Sequence, residues 1–133
     1  MRRAVAIASV LFVLGSCSDD GGREIRVEMF EMGYDPERIE VVAGETVTFV
    51  VENTGFAAHE FFIGNEEEQA SREALLAAGG TPPDEDSIIV ENGETGEITY
   101  TFGGQGEILF GCHLIGHFAA GMVGTIVVSA PSG

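Results

Sequence analysis

The most informative segment of the chain is residues 111–124, G-C-H-L-I-G-H-F-A-A-G-M-V-G. It places Cys112, His117 and Met122 in the spacing C-x4-H-x4-M. Cys112 closes one strand pattern and Met122 begins the next, so the segment between them must double back and present three side chains together. Its glycines permit the tight backbone path that this requires. Thiolate, imidazole and thioether form a soft ligand set, and soft sulfur ligands select Cu(I).

A second imidazole is needed for a blue-copper arrangement, in which two histidines and a cysteine are joined by a weak axial methionine. Besides His117, the chain has only His59 and His113. Strand alternation places Cys112 on a buried face and His113 on the opposite face, which predicts a surface or packing histidine. His59 must then arrive from a distant strand. Singly, each of these residues would pass for a core or surface residue, but their joint spacing predicts a copper site.

The N-terminal residues have the pattern of a secretory signal peptide. Two arginines precede an apolar run over residues 4–14, which is shorter than the roughly 20 residues that span a bilayer. The letters L-G-S-C at 14–17 resemble a bacterial lipobox, which implies cleavage before Cys17 and lipid attachment to its thiol. An ordinary signal peptide with an incidental cysteine is the alternative. The expected organisation is a signal peptide over 1–16, a flexible tether over 17–23 and one domain over 24–130.

The cysteine count and the net charge limit the expected state of Cys112 and the expected class of binding partner. A lipidated Cys17 cannot form a disulfide, so Cys112 would be a lone thiol in an exported protein, either buried, reactive or metal-bound. The chain carries a net charge of −16, and without its first 16 residues it keeps 22 acidic residues, four arginines and no lysine. Nucleic acid and anionic membrane surfaces are therefore poor partners. A basic protein partner fits this charge, although solubility of a small exported domain explains it equally well.

Alternating apolar residues predict about eight short strands, and one stretch predicts a helix. The helix covers residues 66–78, with a weakly apolar face of Ala70, Ala74, Leu75 and Ala78, and Gly79-Gly80 ends it. Residues 34–37 are expected to form a turn. The strands, antiparallel in character, predict an all-β, two-sheet Greek-key sandwich. Their expected ranges are 24–32, 38–43, 45–53, 58–64, 87–91, 96–102, 107–112 and 122–129.

The C-x4-H-x4-M motif before the terminal strand G-T-I-V-V, together with an upstream N-x5-H-E-F, resembles the cupredoxins. The closest likeness is to plastocyanin- and azurin-like domains with a helical insertion after the first histidine strand, over about residues 24–129. The resemblance implies one type 1 copper ion with equatorial and axial ligands. The implied equatorial ligands are His59, Cys112 and His117, and the implied axial ligand is Met122.

Two positions depart from better-known cupredoxins, which have Asn after the first histidine and Ser or Thr after the cysteine. Those side chains brace the ligand loop and tune the thiolate. Glu60 and His113 occupy these positions here, so we expect a rearranged brace. Asn53 is a candidate for a substitute hydrogen bond.

The pattern favours a membrane-tethered electron carrier, lipid-anchored in the periplasm or at the cell surface and monomeric. Small and apolar residues around His117 predict a docking patch for a redox partner, although Leu114 and Phe118 could simply cap the core. The alternative is a copper-handling protein for resistance or delivery, which would more often have Met- or His-rich tracts. A copper enzyme would need further histidines, so no enzymatic activity is expected. The predicted patch comprises Leu114, Ile115, Phe118 and Ala119.

Overall fold

The computed structural model describes residues 22–132, and this part of the chain forms nine strands and one helix. The predicted signal peptide, Cys17 and most of the tether lie outside the described residues. No helix within residues 22–132 is long and apolar enough to cross a membrane. The elements are β1 Arg23–Phe30, β2 Gly33–Asp35, β3 Arg38–Val42, β4 Thr46–Asn53, β5 His59–Gly64, α1 Glu66–Ala77, β6 Ser87–Val90, β7 Thr95–Thr101, β8 Gly106–Gly111 and β9 Val123–Ser129.

Two sheets face each other, which confirms the predicted sandwich. One sheet has the order β2-β1-β4-β7 and the other has the order β3-β9-β8-β5-β6. Two pairs, β1 with β4 and β3 with β9, are parallel, so the expectation of purely antiparallel pairing was wrong. Alternation reveals the faces of a strand but not the direction of its neighbour. The first two residues of the segment expected to be a turn, 34–37, belong instead to the short strand β2, which pairs with β1.

Aromatic side chains fill the space between the sheets. Phe49, Phe61 and Phe110 are fully buried, and their ring centroids lie 5.2 Å apart for Phe49 and Phe61 and 5.0 Å apart for Phe61 and Phe110. Tyr34 from β2 adds an edge contact to Phe110 at 5.0 Å. Burial of each such side chain contributes about 1.5–3 kcal/mol. Cys112 and Met122 belong to the same apolar cluster, so two of the four predicted ligands are part of the core.

Helix α1 begins with a capping box, because Asn65 Oδ1 accepts from the amide of Glu68 and Glu68 Oε2 accepts from the amide of Asn65. Its predicted position is confirmed, but its predicted apolar face was wrong. Ala70, Ala74 and Leu75 are exposed, and Ala78 is the exposed C-cap. The buried residues of α1 are Gln69 and Arg72. The helix therefore packs on β5 and β8 through polar groups, which a hydrophobic pattern does not reveal.

Candidate metal centre

Three predicted ligands converge at one end of the sandwich. His59 begins β5, Cys112 follows β8, and His117 lies in the loop between β8 and β9. The Nδ1 atoms of His59 and His117 lie 3.3 Å apart, and Cys112 Sγ lies 3.2 Å from His117 Nδ1. The three ligand atoms all lie within 4.8 Å of one another. The structure thus brings together two residues of the loop and the histidine of a distant strand.

The loop between Cys112 and Met122 is a compact series of turns. The amide of His117 donates to Leu114 O at 2.9 Å, and the amide of Met122 donates to His117 O at 3.1 Å. The amide of Cys112 donates to Met122 O at 3.2 Å, which holds the two ends of the loop side by side. Gly116 has a φ of 85°, a conformation that side chains disfavour. Met122 is fully buried beside the cysteine.

This donor set fits a copper ion in both spacing and chemistry. Nitrogen ligands of zinc, a first-row metal of similar size, lie about 2.0–2.1 Å from the ion, and a tetrahedral angle then separates two nitrogens by about 3.3 Å. The observed Nδ1–Nδ1 distance of 3.3 Å for His59 and His117 matches this value. Two imidazoles with one thiolate are the ligands that copper sites combine. The residues present are therefore suited to hold the ion that the motif predicts.

Burial controls the protonation of two donors in the metal-free chain. It raises the pKa of the Cys112 thiol to about 11. Burial, followed by the neighbouring His117, lowers the pKa of His59. The histidine is therefore ready to offer a neutral nitrogen, whereas the thiol must release a proton to a bound metal. The main-chain amide of Glu60 donates to Cys112 Sγ at 3.3 Å and stabilises the developing thiolate.

Glu60, the residue after the first histidine, makes the hydrogen bonds that hold the ligand loop. Its carboxylate is fully buried, and Oε1 accepts from Arg72 Nε at 2.7 Å and from Ser87 Oγ at 2.9 Å. Its Oε2 accepts from the amide of His113 at 3.0 Å. The residue after the first histidine is thereby joined to the residue after the cysteine. Arg72 from α1 supplies the opposite charge, so the helix is part of the scaffold of the site.

His113 lies outside the ligand cluster, in agreement with its predicted face. It is buried, so the surface alternative was wrong and the packing alternative is confirmed. Its Nδ1 contacts Glu73 Oε2 at 2.6 Å and its Nε2 contacts Gln69 Oε1 at 2.5 Å. The orientation of Gln69 is fixed because its Nε2 donates to three main-chain oxygens of β5 and β8. Both ring nitrogens of His113 are therefore occupied by protein groups.

Asn53 does not supply the substitute hydrogen bond to the ligand loop, so that expectation was wrong. Its Nδ2 donates to the carbonyl oxygens of Ala57 and Val90, both at 2.8 Å. Its Oδ1 accepts from the amide of Gly55 at 2.9 Å. Asn53 instead fixes the loop that precedes His59.

The predicted docking patch is only partly exposed. Ile115 is 88% exposed and Ala119 is exposed, whereas Leu114 packs against the core. Phe118 is half-buried, and its ring stacks on His113 with 4.5 Å between centroids. Leu114 thus packs as the alternative interpretation proposed, whereas Phe118 packs on His113 outside the core cluster. The sequence interpretation missed Phe56, which is 91% exposed in the loop before His59.

The sequence interpretation also missed the polar residues that contact Glu60, His113 and His59. Gln69, Arg72 and Glu73 have the composition of a solvated helix face, and Glu31 resembles any other acidic residue of an acidic chain. Only the arginine offered a signal, because the chain has so few cationic residues.

Comparisons with known proteins agree with this geometry. The model of the family "Copper binding proteins, plastocyanin/azurin family" matches residues 23–129. The chain is 38% identical over 109 residues to the copper-resistant cuproprotein CopI of Rubrivivax gelatinosus, covering 80% of this chain and 66% of that protein. It is 33% identical over 137 residues to CopI of Pseudomonas aeruginosa, covering 80% and 76%. Reduced auracyanin from Roseiflexus castenholzii superposes with a TM-score of 0.71 at 25% identity, covering 80% of this chain and 96% of auracyanin.

Proposed function

Because the chain belongs to the plastocyanin/azurin family of copper-binding proteins, we propose that it holds one copper ion between His59, Cys112 and His117 in a type 1 site. The observation that carries this proposal is the convergence of two Nδ1 atoms and one sulfur within 4.8 Å. Met122 is the proposed axial ligand, supported by its burial and by its backbone hydrogen bonds to Cys112 and His117. The bound ion would supply a redox-active centre, and the protein would hold its ligands in place.

The proposed role is copper handling outside the cytoplasm, in the service of copper resistance. The two CopI relatives are named copper-resistant cuproproteins, which favours this alternative over the electron carrier preferred from sequence alone. A thiolate and two imidazoles retain copper tightly. Because Cys112 and His59 are fully buried, a bound ion would be largely shielded from solvent. The net charge of −16 attracts cations to the surface, and one enclosed site needs no Met- or His-rich tract.

Electron transfer is the second candidate function, and the exposure of Ile115 favours it. Ile115 is 88% exposed two residues before His117, so it forms an apolar surface close to a proposed ligand. Redox partners meet through small transient interfaces, for which such a surface suffices. A basic redox protein is the partner that the acidic surface would attract. Lipid attachment at Cys17 would keep either activity at a membrane surface, and neither requires catalysis by this chain.

A copper titration of the purified protein tests the site. One equivalent of Cu(II) should produce strong red absorption from Cys112-to-copper charge transfer, with a matching EPR signal. Cys112→Ser should remove the band while circular dichroism keeps the β-sheet signal. The proposal would be refuted if the red band persisted in Cys112→Ser. It would also be refuted if the wild type showed no red band at any copper loading.

A growth assay separates the two roles. A copper-sensitive bacterium that exports the wild-type protein should regain copper tolerance, and Cys112→Ser should not restore it. Ile115→Glu is the matched surface variant, because it disrupts docking without removing a ligand. Copper handling predicts that Ile115→Glu protects as well as the wild type. Loss of tolerance in both variants would favour the role that depends on a docked redox partner.

A further inference from the structure

One ring nitrogen of His59 lacks a hydrogen-bond partner. Among residues 22–132, the Nε2 atom of His59 is buried without such a partner, although the Nδ1 atom faces the metal centre. The carboxylate of Glu31 lies close to this nitrogen, with its Oε1 3.4 Å from Nε2. When Nδ1 of an imidazole binds a metal, Nε2 carries the ring proton and requires an acceptor. Glu31 is the group positioned to be that acceptor.

Glu31 is held in this position by the loop that precedes His59. Its Oε1 accepts from the main-chain amides of Phe56 and Ala57, the latter at 3.0 Å. Asn53 anchors the same loop by accepting from the amide of Gly55 and donating to Ala57 O. Two amides of an anchored loop therefore hold one oxygen of the carboxylate, although the side chain is 38% exposed.

Gly55 provides an independent indication that the Glu31 carboxylate and the His59 ring must approach each other closely. A Cβ atom at Gly55 would lie 2.7 Å from each carboxylate oxygen of Glu31 and 2.8 Å from Nε2 of His59. Any larger residue would force the carboxylate and the ring apart. The position therefore requires glycine for close approach, and its φ does not impose that requirement.

We infer that Glu31 is a positioning residue for the copper site. Its carboxylate accepts the Nε2 proton of His59, selects the tautomer with Nδ1 free for the metal and raises the basicity of the ring. Carboxylate partners of this kind change metal affinity by about 10–100-fold. The added negative charge favours Cu(II) over Cu(I). The inference rests on the proposed copper site and extends it by one residue.

The experiment compares Glu31→Gln with the charge-matched control Glu24→Gln. Glutamine keeps an oxygen for the loop amides but removes the charge from His59. Glu24 lies seven residues earlier, about 23 Å away at roughly 3.3 Å per residue of strand. We expect Glu31→Gln to lower Cu(II) affinity about tenfold more than Cu(I) affinity, which corresponds to a rise in reduction potential of about 59 mV for one electron. Glu24→Gln should match the wild type in both affinities.

Nitrogen-15 NMR of the metal-free protein provides a readout that does not depend on copper. The wild type should show His59 with its proton on Nε2, and Glu31→Gln should shift that proton resonance or mix the tautomers. Equal potentials and equal His59 spectra in Glu31→Gln and Glu24→Gln would overturn the inference. If the wild type failed to bind copper, the proposed site would fall, and the NMR comparison alone would decide the contact between Glu31 and His59. Glu31→Ala, which removes the acceptor entirely, should have the larger effect on both readouts.

Discussion

The two faces of β5 are buried by opposite means. On the inner face, Phe61 and Ile63 pack among aromatic side chains in the core. On the outer face, Glu60 is equally buried but is surrounded by Arg72, Ser87 and the amide of His113. Apolar contacts are non-directional, whereas a buried charge is stable only with its specific partners. The inner face therefore holds the sheets together, and the outer face fixes where the ligand loop lies.

The two faces should respond differently to mutation. Loss of an aromatic side chain from the core should destabilise the whole domain, whatever happens at the metal centre. Loss of one charge behind β5 should destabilise the domain and also displace the residues adjacent to His59 and Cys112. Measuring unfolding free energy and the copper spectrum on the same variants therefore separates the roles of the two faces.

The largest expected effect is that of Phe61→Ala. Phe61 is fully buried and contacts Tyr34, Phe49 and Phe110, so the variant should lose about 3–5 kcal/mol of unfolding free energy. Urea unfolding followed by circular dichroism measures this loss. Phe56→Ala is the matched control because Phe56 is 91% exposed, and it should change stability by less than about 0.5 kcal/mol. Similar losses in the two variants would mean that the inner face is not the main source of stability.

Arg72→Met should have the next largest effect. The variant leaves the buried carboxylate of Glu60 without its cation. The expected loss of unfolding free energy is about 3 kcal/mol, the low end for a broken buried ion pair, because Ser87 and the amide of His113 still donate to the carboxylate. The red absorption of the copper-loaded protein should also shift, because Glu60 borders both ligands. The double variant Glu60→Gln with Arg72→Met should recover much of the loss. Additive losses in that double-mutant cycle would show that the pair is not coupled.

The sequence could predict the inner face and not the outer one for a physical reason. Period-two alternation marks Phe61 and Ile63 because they meet apolar surface, and the same period places Cys112 inward. Gln69 and Arg72 lie on the helix among alanines and glutamates, where the pattern is that of a solvent-exposed surface. The amino-acid sequence of a buried ion pair does not differ from that of two solvent-exposed charged residues. Partners twelve and 27 residues away, Arg72 and Ser87 for Glu60, come together only once the chain has folded.

His113→Ala should have a smaller effect that distinguishes bracing from ligation. The variant removes the contacts with Gln69 and Glu73 and the stacking on Phe118, so we expect a loss of about 2 kcal/mol with copper retained. His117→Ala, which removes a proposed ligand that is only half-buried, should show the reverse, with little loss of stability and loss of the red band. Loss of copper from His113→Ala would mean that the ring participates in binding.

The smallest effect at neutral pH concerns the thiol of Cys112, and it tests which face governs the site. Burial raises the pKa of this thiol from 9.0 to about 11, although the amide of Glu60 acts in the opposite direction. Because the folded pKa is the higher one, this contribution to stability is complete below pH 9 and is lost as the pH rises towards 11. Ultraviolet titration of the thiolate in the metal-free protein should therefore have its midpoint near 11, and Cys112→Ser should lack that transition. A midpoint below 9 would mean that the hydrogen-bonding groups of the outer face, and not the apolar core, set the proton affinity of the sulfur.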